Sequence, residues 1–129
     1  MASWDELHAY VRVRYEIMRQ EDDELWFDLP TTGERHQRVA VRLVTGADGH
    51  PWAQIRSAVG QVDQLDLVRL LELAAEPVTG GVVSEDGLVL FRHSIPLGDT
   101  ALDGFERPFR LVAGVADQLE EQLTGLDVY

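Results

Sequence analysis

The stretch from Leu102 to Leu123 constrains this chain most, because its apolar residues fall at Leu102, Phe105, Phe109, Val112, Ala116, Leu119 and Leu123, in steps of three and four. Such spacing lays one continuous apolar stripe along an α-helix. Leu111 and Val115 add a second row, giving the width a helix needs to pack on something broad, such as a sheet. The heptad spacing also admits a coiled coil, but Ala116 at a seam position and the second row fit a sheet better. Pro108 predicts a mild kink in the early turns or a start nearer Asp103. The rest of the chain must then supply the sheet.

Ser3 and Glu6 have capping-box spacing, and Trp4, Leu7 and Val11 repeat at helical intervals, so a first helix is expected over Trp4–Val11. From Val11 the pattern alternates through Val13, Tyr15 and Ile17, which is strand periodicity and overlaps the helix claim. After the polar turn Glu21–Glu24, Leu25, Phe27 and Leu29 share one face of a second strand. Val39, Val41 and Leu43 alternate with Arg38, Ala40 and Arg42, predicting a third strand with a dry side and a basic side. Trp52–Val59 supplies a fourth, placing Ala53, Ile55 and Val59 opposite Trp52, Gln54 and Arg56. Four successive strands suggest an antiparallel meander.

A short helix follows, with Asp63 as its expected N-cap, Leu67, Leu70, Leu71 and Ala74 as its stripe, and Pro77 as its limit. Asp86-Gly87 is the strongest hairpin signal, since a two-residue type I′ turn needs positive φ at both central positions. The run Leu88-Val89-Leu90-Phe91 predicts a central strand covered on both faces. Pro96–Thr100 then leads into the long helix. The expected fold is α+β, in the order α-β-β-β(-β)-α-β-β-α, with the C-terminal helix packed on one face of an antiparallel sheet and residues 1–129 forming a single domain.

Composition narrows the function. With 129 residues, 45% of them hydrophobic, the chain can bury one core unaided. It has no cysteine, which removes disulfides, thiol nucleophiles and thiolate zinc sites. Neither a basic-then-apolar leader nor a membrane-length apolar run is present, so a cytoplasmic protein without a membrane association is expected. The net charge of −12 opposes nucleic-acid binding and favours encounter with a basic polypeptide. All eleven basic residues are Arg, with no Lys or Asn anywhere; codon bias accounts for this more simply than selection for bidentate contacts.

No residue set spells out a reaction. There is no Gly-x-Ser-x-Gly elbow, and Ser3, Ser57, Ser84 and Ser94 lack a distinguishing context. His8, His36, His50 and His93 are scattered without metal-ligand spacing; His93, on the apolar strand, reads best as a hydrogen-bonded core histidine. Glu21–Glu24 lacks the alternate ligand spacing of a calcium loop. Thr79-Gly80-Gly81 runs into a strand with no Gly-Lys-Ser/Thr behind it, so it is not a phosphate loop. Glu120 and Glu121 read as a solvated helix face. A non-enzymatic protein with no catalytic residues, cofactor or metal is expected.

What remains is surface. If Val39, Val41 and Ile55 face the long helix, the opposite sheet face carries Trp26, Ala40 and Trp52 amid Arg38, Arg42, Arg56 and Arg92. Aromatics interleaved with Arg suit a polypeptide-binding surface, and sheet edges offer backbone donors for an added strand. The competing reading has the second helix covering these tryptophans.

Five segments carry a family resemblance: Leu70-Leu71-Glu72-Leu73, Thr79-Gly80-Gly81-Val82-Val83, Asp86-Gly87-Leu88-Val89-Leu90, Ile95-Pro96-Leu97 and Ala116-Asp117-Gln118-Leu119. With the element order, they make the chain resemble the type III secretion chaperone-like fold shared with YbjN-like proteins. The resemblance covers nearly the whole chain in layout and about half in pattern, and brings no catalytic motif. It implies a small acidic homodimer that holds a client protein or peptide through apolar patches on its sheet and helices. Trp26, Trp52, Arg38, Arg42, Arg56 and Arg92 are the candidate partner-binding residues. The alternative is an acidic immunity-type or regulatory protein that binds one folded basic partner.

Overall fold

A computed structural model describes residues 3–98 and 101–129. Asp99 and Thr100, within the segment expected to lead into the last helix, lie outside the described residues, as do Met1 and Ala2. The elements run α1 (Trp4–Arg14), β1 (Arg19–Gln20), β2 (Glu24–Pro30), β3 (His36–Thr45), β4 (Pro51–Gln61), a 3₁₀ turn (Val62–Gln64), α2 (Leu67–Leu73), β5 (Gly81–Glu85), β6 (Leu88–Pro96) and α3 (Asp103–Thr124). This is the expected α+β order. The strands form one antiparallel sheet in the order β1-β2-β3-β4-β6-β5.

The Ser3 hydroxyl accepts the Glu6 amide at 3.1 Å, so the expected cap is in place. The helix it starts runs three residues past Val11, and the strand expected over Val11–Ile17 does not form; pairing begins only at Arg19. Leu7 and Val11, one turn apart, bury the inner face of α1, while Val13 is left 82% exposed. The alternation was thus a helix with an apolar residue on its wet side.

In-register pairing aligns Leu25 with Val41, Phe27 with Val39, Val41 with Ile55 and Ala53 with Ile95. These residues and Phe91 line one sheet face, on which α3 lies with Phe105, Phe109, Val112, Ala116 and Leu119 all buried. The apolar stripe is therefore core. Phe109 is its hub, with the rings of Tyr15 and Phe27 edge-on to it and that of Phe105 stacked on it, each at 5.1 Å. Edge-on packing of this kind adds to simple burial.

Two details of α2 differ from expectation. Its N-cap is Asp66, whose carboxylate accepts the Arg69 amide at 3.1 Å; Asp63 sits in the preceding 3₁₀ turn. Of its stripe only Leu70 is buried. The β5–β6 turn follows the sequence signal, with φ of 52° at Asp86 and 80° at Gly87. Among the described residues, however, strand β6 has helices on one face only. Leu90, on the other face, is buried but lies outside the helix-covered core.

Candidate functional site

The buried residues of α1, α2 and α3 all join the core on one side of the sheet. Among the described residues no helix packs on the opposite side, so α2 does not cover the tryptophans. The same register that aligns the core sends Trp26, Arg38, Ala40, Arg42, Trp52, Arg56 and Arg92 to that open face. All six candidate partner-binding residues thus share one surface.

They are not equivalent. Arg56 is the anchor: its guanidinium reaches Glu24 on β2 at 3.1 Å and Glu85 on β5 at 3.0 Å, bridging three strands. Glu24 also accepts the Trp26 indole N–H at 2.7 Å, which holds that ring against the sheet. Trp26, Arg38 and Arg56 together line a concavity of about 320 Å³ whose floor includes Ala58, Leu88 and Leu90 and whose wall is Tyr129. Arg38 is exposed and makes no ion pair among the described residues, although Asp28 stands opposite it in register. Arg92 neighbours Arg56 across the β4–β6 ladder.

Farther along the face, Arg42 donates to Gln54 at 3.0 Å, and its Nε is buried without a partner. Trp52 closes this end: its indole lies against Gly46 and bonds Asp48, whose carboxyl is held below its ordinary value mainly by the His50 amide. A half-buried apolar floor with tethered and free arginines can take up an extended segment. Among the described residues of this face, no nucleophile stands beside a base.

Three parts of the surface escaped the sequence pattern. Glu24 and Glu85 read as turn and strand-end acids, and nothing local signals that they converge on Arg56. Tyr129 reaches the concavity because the segment after α3 folds back: the amides of Val128 and Tyr129 donate to Glu120 Oε2 at 2.8 and 3.1 Å, and Arg35 donates to the Leu126 carbonyl at 2.8 Å. Glu120, expected on a solvated face, is 1% exposed; Glu121 beside it is exposed as expected.

That correction exposes a charged cluster at the core's edge. The Asp117 carboxylate, 2% exposed, receives the Arg35 Nε at 3.0 Å and the Thr31 hydroxyl at 2.8 Å. Bonding to Asp117 raises the Arg35 guanidinium above its ordinary value, while burial raises the Glu120 carboxyl. Asp117, Glu120 and Asp127 approach within the spacing of a cation site, but the Arg35 guanidinium already stands among them, at 3.0 to 3.8 Å from all three. His93, on the core face of β6, is half-buried with Nδ1 2.9 Å from the Thr79 hydroxyl.

No family model, curated protein or solved structure matches this chain. Among the described residues, no helix is long and apolar enough to cross a membrane.

Proposed function

We propose that this is a non-enzymatic, chaperone-like polypeptide-binding domain of the cytoplasm, holding a client segment on the helix-free face of its sheet. The observation that carries this reading is the convergence of Trp26, Trp52 and the four arginines on a surface with an apolar floor and no covering layer. Trp and Arg combine large contact area with directed donors, which is why they dominate the energetic centres of interfaces. The resemblance to type III secretion chaperone-like proteins supports the same role.

Trp4 sits on α1, its indole bonded to the Asp22 carbonyl at 3.1 Å, so a Trp4→Phe variant emits only from the open face. Peptides and unfolded chains that bind there shift this emission, and Ala58→Trp, which fills the concavity, abolishes the shift. No shift and no captured peptide from an array would overturn the proposal. The net charge of −12 favours a second reading, a domain that blocks one folded basic partner. Tight one-to-one binding to such a partner, with no affinity for unfolded segments, would select it.

A further inference from the structure

The charges on the helix-free face run against those of the chain. Acidic residues outnumber basic ones by 23 to 11 overall, yet the register of β2–β6 places Arg38, Arg42, Arg56 and Arg92 on this face against Glu24, Asp28 and Glu85. Two of those three acids are already engaged. Glu24 accepts the Trp26 indole through one oxygen and Arg56 through the other, at 2.7 and 3.1 Å, and Glu85 accepts Arg56 at 3.0 Å. Asp28 stands opposite Arg38 in register, but its carboxylate lies 3.9 Å from the His36 Nδ1 and forms no ion pair with Arg38.

Arg38, Arg42 and Arg92 are therefore left over. None of the three is in an ion pair among the described residues, and the buried Arg42 Nε has no acceptor. A buried donor without a partner has lost its water and gained nothing in exchange, so an acceptor brought from outside stabilises it. The three are also close together. Ala40 on β3 and Arg92 on β6 both stand opposite Arg56, which makes Arg92 its direct neighbour and Arg38 and Arg42 its diagonal ones, all within about 8 Å. They ring an Arg56 that Glu24 and Glu85 have neutralised. The concavity floored by Ala58, Leu88 and Leu90 opens beside them, and Asp86, at its hairpin end, is the one lining acid that no arginine holds.

We infer that the client segment taken up by this face is acidic, with an apolar side chain seated in the concavity and Asp or Glu beside it paired with Arg38, Arg42 and Arg92. The inference rests on the reading of this face as a polypeptide-binding surface. It gives the partner a sign opposite to the one that the net charge of the chain suggests. At physiological salt, exposed charges act over about 8 Å, so a bound segment meets these arginines and not the acids of the helices behind the sheet. Asp86 turns its acids toward the arginine end. A nucleic acid fits less well, because its phosphates continue past the face along a chain of net charge −12, and its affinity needs many cations in line.

A peptide array that varies an apolar core and flanks it with Glu, Gln or Lys tests this on the full chain, followed by calorimetry of the best-retained core in all three forms. The Glu form is expected to bind at least about tenfold more tightly than the Lys form, with the Gln form between them and added salt narrowing the gap. Arg38 is exposed, and Arg38→Glu should weaken the Glu form and strengthen the Lys form with unchanged circular dichroism. Cores retained whatever their flanks, a preference for Lys, or an Arg38→Glu variant that moves neither form overturns the inference and leaves the face a polypeptide-binding surface. An array with no retained member overturns both. A single-stranded oligonucleotide that displaces the Glu form at equal concentration overturns the choice of a polypeptide.

Discussion

The guanidinium of Arg35, on the turn between β2 and β3, lies 3.0 Å from the buried carboxylate of Asp117 in the middle of α3. This contact fastens one end of the sheet to the helix that covers it. Removing the cation as Arg35→Met leaves Asp117 and Glu120 buried without a counter-charge, and breaking a buried pair from one side is far more damaging than replacing both members. Urea unfolding of Arg35→Met should show a markedly lower midpoint with unchanged m value. Arg35→Lys should fall between, since a lysine cannot supply the fork that meets both carboxylate oxygens.

The apolar stripe makes a contrasting pair. Phe109→Ala should cost about 3–5 kcal/mol and Leu119→Ala about 2–5 kcal/mol, because both leave cavities under the sheet. Leu71→Ala should change the stability of the single chain by less than about 0.5 kcal/mol, as an exposed position does. Denaturant titration of the full chain measures all three.

Glu120 gives a pH signature. Its carboxyl is raised above the unfolded value of 4.5, first by burial, although the Val128 and Tyr129 amides pull it back. The folded state therefore holds the proton more tightly than the unfolded state. The stabilisation from this group is absent above the folded pKa, grows as pH falls toward the unfolded value, and is constant below it. Wild type should gain stability on Glu120→Gln as the pH drops through that window, measured by thermal unfolding of both across pH.

Two glycines separate backbone strain from crowding. Gly87 has φ of +80° with open space where a side chain would go, so Gly87→Ala should cost about 1–2 kcal/mol for the left-handed conformation alone. Gly80 has φ of +82°, and a Cβ there would fall 2.6 Å from the ring of buried Phe91. Gly80→Ala should cost clearly more, and Phe91→Leu in the same chain should recover part of the difference, by the same unfolding assay.

Most of the fold was legible because its signals are local. The stripe of α3, the alternation in β2, β3 and β4, and the Asp86-Gly87 turn each depend on neighbours within a few residues. The alternation also put the six Trp and Arg residues on one face. Val11–Ile17 misled because two periods overlapped and the Leu7–Val11 repeat, started by Ser3, won. Glu120 and Asp117 were opaque for another reason. A charge beside an apolar stripe reads as a wet margin until a cation arrives, and Arg35 stands 82 residues before Asp117. Likewise, Arg56 reads as one basic residue among several; only the sheet order brings Glu24 and Glu85 to it.

The position of α3 in the chain bears on biosynthesis. Strands β2 to β4 emerge from the ribosome early and can pair at once, yet the helix that covers their apolar side is the last to be made. For the time taken to translate some sixty residues, at about 5–20 residues per second, the nascent sheet lacks the long helix that covers its apolar face. Slow codons between residues 62 and 124 would lengthen that interval and raise aggregation of the unfinished chain without altering a single side chain.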